Sequence, residues 1–309
     1  MPCKIFIISF AHFSVWRDGN QVKQFYLNLP EIASTSLPRS AMVFAVAVAV
    51  FLLSILLVPR KHLLRSKRVA HDLLYYVFYN SVLSIAFLFI PLRRLIFPVL
   101  RILDYGLLAA FTPVPRFVIY FVAADLLSYW HHRWMHTRWL WPFHAVHHEQ
   151  RAVTVFTSAR KHLVEAVAST AALLMLGAIL GNPPADTIWF LAVRYAKDAT
   201  LHSGLKWRYG PLYWFVASPL FHSTHHSAEE EESNHNFGAF FSLWDMLFRT
   251  HRNSFVTPKQ QGVHGLVMPS LWSQFWMPLK MTRQGVAAAV RANGHENVVS
   301  SPVGANTQS

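Results

Sequence analysis

The 309-residue sequence holds one cysteine, Cys3. A single thiol excludes an intramolecular disulfide framework and any cysteine-held zinc or iron–sulfur centre, so a metal here must be held by nitrogen and oxygen. Charge is also scarce. Asp, Glu, Lys and Arg together make up 14% of the chain against 53% hydrophobic residues, and the mean hydropathy is +0.27. These values lie outside the usual soluble class and near the membrane class. Acids are the scarcer sign, 15 against 28 Lys and Arg, which leaves a formal charge of +13. The basic residues are scattered among Trp, Phe and Leu and form no stripe suited to tracking phosphates, so no nucleic-acid partner is expected. An anionic membrane surface accounts for the excess more simply. Residues 1–20 have neither the charged start nor the long apolar centre and cleavage site of a secretory signal.

Long uncharged runs are what the sequence has instead. Residues 41–58, AMVFAVAVAVFLLSILLV, hold no charge over 18 positions, close to the ~20 needed to cross a bilayer core. The basic stretch 59–68 that follows should be cytoplasmic by the positive-inside rule. A second apolar segment, 73–92, would return outward. Residues 93–115, punctuated by Pro98, Pro113 and Pro115, read as an interfacial or re-entrant piece. Residues 116–130 then run inward, and 163–181 with 186–204 form a helical hairpin broken at GNPPAD. The expected fold is all-α: a multi-pass integral membrane helical bundle of about four to five apolar helices that places every histidine cluster on the cytoplasmic side. The expected divisions are an interfacial or disordered lead-in (1–40), membrane helices and an interfacial segment (41–115), a histidine-bearing domain (116–255) and a partly disordered tail (256–309).

Of 18 histidines, 11 fall between 131 and 226. HHRWMH places His132 and His136 four apart, HAVHH supplies His144, His147 and His148, and HSTHH supplies His222, His225 and His226. Residues three and four apart share a helix face, so each cluster can aim two imidazoles at one point. Imidazole suits iron, copper, zinc and nickel alike. A structural zinc needs only four ligands, so eight histidines overfill one such site and a dinuclear centre is the economical solution. Ligating histidines usually pass their other ring hydrogen to an oxygen. Asp125 (two turns before His132), Asp198 (four before His202) and Asn236 are candidates for that supporting or catalytic role, with Asn234 and Asp245 nearby. Glu229–Glu232 read as a solvated loop, His131 as facing away from the cluster, and His12, His62, His71, His251, His264 and His295 as surface residues. Trp130, Trp134, Trp139 and Trp141 can line a path for an apolar substrate, or simply mark a membrane interface. On the residues alone, a divalent-metal transporter and a zinc-dependent membrane hydrolase remain alternatives. A transporter would spread ionisable residues along a path through the membrane, whereas here they gather at one face.

The order DLLSYWHHRWMH, WPFHAVHH, TSARKHLVE, LHSGLKWRYGPLYWFVASPLFHSTHH and NFGAFFSLWDMLFRT resembles the fatty acid hydroxylase or sterol desaturase superfamily of membrane di-iron enzymes, over roughly 116–250. The resemblance implies a helical membrane stem carrying a cytoplasmic helical cap with the histidine-rich dimetal site, two iron ions, O2 as co-substrate, and hydroxylation or desaturation of a lipid. It implies His132 and His136 as the first box, His144, His147 and His148 as the second, and His222, His225 and His226 as the last, with His202 as a further ligand. His162, a further candidate metal ligand, matches a histidine that sterol-type members show in an Arg-x-His-Pro sequence, with Arg160 and Glu165 beside it, although Leu163 stands where proline is usual. At 248–250 the chain reads Phe-Arg-Thr where the family commonly has Phe-Gly-Thr. A separate electron donor is expected, cytochrome b5-like or a ferredoxin with its reductase. The expected location is the endoplasmic reticulum in a eukaryote or the inner membrane in a bacterium, with the histidines facing the cytoplasm.

Overall fold

A computed structural model describes residues 67–77, 105–181, 184–252, 257–268 and 270–284, with isolated positions at 49, 52, 99, 102 and 103. The lead-in 1–40, the apolar run 41–58, most of 73–92 and the last stretch from 285 lie outside the described residues. No strand occurs among those described, and the only extended pairing there is a single bridge between Ser227 and Gln261.

The helices are α1 (Lys67–Val77), α2 (Pro113–Met135), α3 (Trp141–His148), α4 (Leu163–Leu180), α5 (Pro184–Leu201), α6 (Pro219–His225), α7 (Glu230–Ser233), α8 (Leu243–Leu247) and α9 (Leu271–Gln284), with 3-10 turns at Val155–Ala159 and Gly210–Trp214. Proline marks several starts. Pro113, Pro142 and Pro219 lie in the first turns of α2, α3 and α6, where the fixed φ suits a helix and the missing N–H has no intrahelical partner to lose. Ser218 caps α6 by accepting from the Phe221 amide at 3.2 Å.

The expected hairpin forms. α4 ends at Gly181, whose φ of +64° is the left-handed turn that glycine adopts without strain. A Cβ there would lie 2.5 Å from Gly106 Cα, so glycine is required for close approach as well. The Leu108 amide donates to Leu180 O at 2.8 Å, which seats the turn after Gly106 against the far end of α4. α2, α4 and α5 pack together through Tyr120, Ala124 and Phe190, with Phe121, Leu173, Leu176 and Leu180 against them.

Among the described residues, α4 is the one helix long and apolar enough to cross a membrane, with a mean hydropathy of 2.1. α2 is apolar on its outer side too, where Val114, Val118 and Val122 are exposed. The polarity of these helices places the chemistry. His132 and His136 sit at the C-terminal end of α2, Glu165 in the first turn of α4, and His202 just past the C-terminus of α5. All are at one end of the bundle, opposite the Gly106 turn. α5 stops at Leu201, three residues before the expected 204, and Gly204 adopts φ +76° just beyond it.

Candidate metal centre

The nine histidines of the three boxes and His202 fall into two groups. His132, His136, His144, His148 and His225 form one, and His147, His202, His222 and His226 the other, with the candidate ligand atoms in each group within 4.8 Å of one another. Nitrogens about 2 Å from a shared ion lie within ~4 Å of each other, so each group matches the span of a single metal. The triplets are divided between the groups. His144 and His148, at i and i+4, face one group while His147 faces the other. His222 and His226 face the second group while His225 crosses to the first.

Ring hydrogen bonds decide which nitrogen is available. His132 Nδ1 donates to Phe237 O at 2.8 Å, His225 Nδ1 to His235 O at 2.8 Å, His147 Nδ1 to Arg160 O at 3.2 Å and His202 Nδ1 to Asp198 O at 2.7 Å. A carbonyl oxygen can only accept, so each Nδ1 carries the hydrogen and each Nε2 is a bare lone pair. His144 Nδ1 is held at 3.0 Å by Glu165 Oε2, and His136 Nδ1 lies 3.3 Å from Asn234 Oδ1. In the first group, Nε2 of His132, His136, His144, His148 and His225 is buried with no hydrogen-bond partner among the described residues. In the second, His202 Nε2 lies 3.2 Å from His147 Nε2, 3.0 Å from His222 Nε2 and 3.2 Å from His226 Nε2. For His147 and His202 neither Nε2 has a hydrogen to give, so the contact is two lone pairs facing each other. A cation between them resolves the repulsion, and the donor set fits a metal ion in each group.

Burial holds the imidazoles in the form a metal needs. It pushes His136, His144, His147, His148, His222 and His226 well below the usual histidine value, and His202 and His225 to about 4. For most of the set, neighbouring imidazoles lower it further, since two cations cannot share this space.

The loop after α7 supplies three of the acceptors, Asn234 Oδ1 and the carbonyls of His235 and Phe237. Asp245 accepts from the Phe237 amide at 2.8 Å, the Gly238 amide at 2.7 Å and Thr250 Oγ1 at 2.7 Å, so it fixes the turn whose Phe237 carbonyl holds His132. Burial raises the Asp245 carboxyl to about 7. Gly238 has no room for a side chain, because a Cβ would stand 2.4 Å from Phe241 O.

Asp125, Asp198 and Asn236 serve the scaffold. Asp125 accepts from the Phe240 and Phe241 amides at 3.1 Å each and from Trp244 Nε1 at 2.9 Å, which ties α2 to this loop; it does not touch His132. The Asp198 carboxylate pairs with Arg194 at 2.9 Å, and its main-chain oxygen rather than its side chain holds His202. Asn236, at φ +61°, bridges Phe221 O and Arg252 O through Nδ2 and accepts from the Arg252 amide at 2.8 Å. The structure does not bring His162 into either group. It caps α4, with Nδ1 accepting from the Val164 amide at 3.1 Å and Nε2 donating to Phe275 O at 3.1 Å, so neither nitrogen has a lone pair to offer.

Of the four tryptophans, Trp141 alone has its ring against the histidines, with centroids 5.0 Å from His136 and 5.3 Å from His148. Trp130 packs on Phe248, and Trp134 and Trp139 are exposed. His131 lies outside both groups. His251, expected at the surface, is packed among Tyr213, Trp214 and Phe221. Glu165 was legible only as a neighbour of His162, yet it is the one acid in an otherwise apolar helix, and that is the signal of a working carboxylate. A cleft with apolar walls from Val153, Leu201, Leu205 and Leu220 reaches His222 and His226 and is also lined by Lys206, Ser223, Thr257 and Gln261.

The fatty acid hydroxylase family matches residues 117–250. The chain is 30% identical over 158 residues to a very-long-chain aldehyde decarbonylase of Oryza sativa, covering 49% of this chain and 59% of that protein. It is 31% identical over 137 residues to an ornithine lipid hydroxylase of Rhizobium tropici, covering 44% and 41%. To a methylsterol monooxygenase of Arabidopsis thaliana it is 29% identical over 143 residues, covering 45% and 48%. The chain thus spans about two fifths to three fifths of the length of these relatives. No solved structure matches it. Every histidine of the two groups lies inside the matched segment, and over that segment the chain is similar to the fatty acid hydroxylase superfamily.

Proposed function

We propose that the chain is a membrane-bound di-iron oxidoreductase that hydroxylates or desaturates a lipid with O2 and external electrons. The observation that carries the reading is the convergence of nine buried histidines into groups of five and four, with ring tautomers set by carbonyl and carboxylate acceptors so that lone pairs point inward. Two irons held there would supply the chemistry that an unactivated C–H bond requires: O2 takes two electrons from the external donor and two from the substrate, with two protons, giving an alcohol and water or an alkene and two waters. The chain's own part is to hold and shield. Glu165 and the carbonyls of Phe237, His235, Arg160 and Asp198 orient the rings, and burial keeps them neutral.

The membrane setting follows from the same arrangement. α2, α4 and α5 are read as part of a stem of about four to five apolar helices, with the histidine-bearing segments as a cap on its cytoplasmic side. The basic stretch 59–68 supports that orientation. The substrate class is a lipid with a long apolar body, sterol, fatty acyl or related, in line with the aldehyde, ornithine-lipid and methylsterol names of the relatives. The electron donor is a separate protein, cytochrome b5-like or a ferredoxin with its reductase, and the membrane is the endoplasmic reticulum or a bacterial inner membrane.

The test is to load the full chain anaerobically with Fe(II) in nanodiscs made from host lipid, and then to add reductant and 18O2. Near two irons per chain and a lipid that gains labelled oxygen or loses two hydrogens are expected. One zinc per chain with no oxygen consumption would overturn the reading.

A further inference from the structure

α1 precedes the segment that matches the family, yet it delivers a side chain to the back of the metal centre. Asp72 is fully buried. Its Oδ1 accepts from Arg160 Nη1 at 3.0 Å, and its Oδ2 from Gln150 Nε2 at 2.7 Å and Thr157 Oγ1 at 2.9 Å. The same Arg160 donates through Nε to Val146 O at 2.8 Å, in the last turn of α3, and through Nη2 to the Glu149 carboxylate. The Arg160 carbonyl is the acceptor that holds His147 Nδ1 at 3.2 Å.

Two carboxylates and one guanidinium buried together are a poor source of stability compared with apolar side chains of the same size. Such a cluster does fix geometry, because a guanidinium bonded on three sides cannot rotate. Here it binds the helix that carries His144, His147 and His148 to the backbone that orients His147. The His147–Arg160 bond is at the long end of the N–H···O range, so a small displacement of residue 160 breaks it.

We propose that Asp72 is a positioning residue for the four-histidine group, acting through Arg160 on the Nδ1 of His147. The inference rests on the reading of the two groups as metal sites. Asp72→Asn leaves one acceptor oxygen for the three donors and removes the charge, so Arg160 is held firmly only by Glu149 and Val146 O. The carbonyl of residue 160 then drifts from His147 Nδ1, and one of four ligands loses its tautomer and its aim. Four rings of the five-histidine group have anchors of their own, His132, His136, His144 and His225 being held by Phe237, Asn234, Glu165 and His235.

The experiment is anaerobic Fe(II) titration of metal-free full-length protein in nanodiscs, comparing wild type, Asp72→Asn and Thr157→Val. Wild type is expected to take up two ions. Asp72→Asn should bind one with unchanged affinity and the other ~10-fold or more weakly, as when an outer contact to a ligand is lost. Thr157→Val, which keeps the shape but removes both the donor to Asp72 and the acceptor of the Thr154 amide at 3.0 Å, should weaken the same ion by less and decides the matter should Asp72→Asn fail to fold. His202→Ala identifies the affected ion, because adding Asp72→Asn to it should cause no further loss. Variants that bind both ions as wild type does, or that lose both equally while melting lower, overturn the positioning role alone. Fewer than two ions in wild type would overturn the reading of the site itself.

Discussion

Glu165 Oε2 accepts from His144 Nδ1 at 3.0 Å, and both side chains are buried. This carboxylate enters from the first turn of α4, the apolar helix, and among the described residues is the one side-chain acid bonded to any of the nine histidines of the two groups. It makes the His144 imidazole a stronger donor to a metal and fixes its ring plane. Glu165→Ala should weaken one of the two ions by ~10- to 100-fold, and Glu165→Gln, which retains an oxygen acceptor, by less. Anaerobic Fe(II) titration checks both. Equal affinities in all three proteins would show that the contact does not tune the ligand.

The metal-free protein should lose stability in mild acid. Burial lowers the folded-state values of the box histidines, to about 4 for His202 and His225, whereas the unfolded chain titrates near the usual ~6.5. Below that value the unfolded state binds more protons, so stability rises with pH across the window. The contribution is present above ~6.5 and is lost as the pH falls towards 4. Thermal melts of the metal-free protein at pH 7.5 and 5.5 should show the lower midpoint at 5.5. Fe(II) binding at pH 7.5 should release almost no protons, because the imidazoles are already neutral.

Arg249 stands in the left-handed region at φ +57°, at the position where glycine is usual in the family. The chain must turn there for Thr250 Oγ1 to reach both Asp245 at 2.7 Å and Tyr129 Oη at 2.7 Å. Left-handed backbone costs an L-residue roughly 1–2 kcal/mol, and glycine returns part of that gain through its freer unfolded chain. Arg249→Gly should therefore raise stability by up to about 1 kcal/mol, or a few degrees in Tm. Metal content and turnover should not change, because Arg249 is exposed and outside both groups.

How far the sequence carries the site can be seen in His147. The helical spacing of HAVHH and HSTHH announces metal ligands, and the i, i+4 members of each triplet do share one group. The third member of each crosses to the other group, and spacing alone could not decide that. The partners that set the tautomers were hidden for a different reason. Most are main-chain carbonyls, of Phe237, His235, Arg160 and Asp198, and a carbonyl has no residue-type signature. Asp125 and Asn236 were conspicuous as polar residues near the boxes, but the tertiary fold uses them to satisfy loop amides and carbonyls. Asp72 was invisible because its partners lie 78 to 88 residues away.

His162 and His202 differ in what their rings can offer a metal. Both stand alone in sequence between boxes, and both are buried. His202 donates through Nδ1 and presents Nε2 to three other histidines. His162 does the reverse, accepting through Nδ1 from the α4 backbone and donating through Nε2 to Phe275 O. His202→Ala should reduce bound iron from two ions to about one and abolish lipid oxidation while the fold is retained. His162→Ala removes a helix N-cap and should cost about 1 kcal/mol of stability, with two irons still bound and activity retained at a temperature well below the melt. Metal analysis beside lipid product measurement on the two variants tests this, and loss of one iron in His162→Ala would return that residue to the metal site.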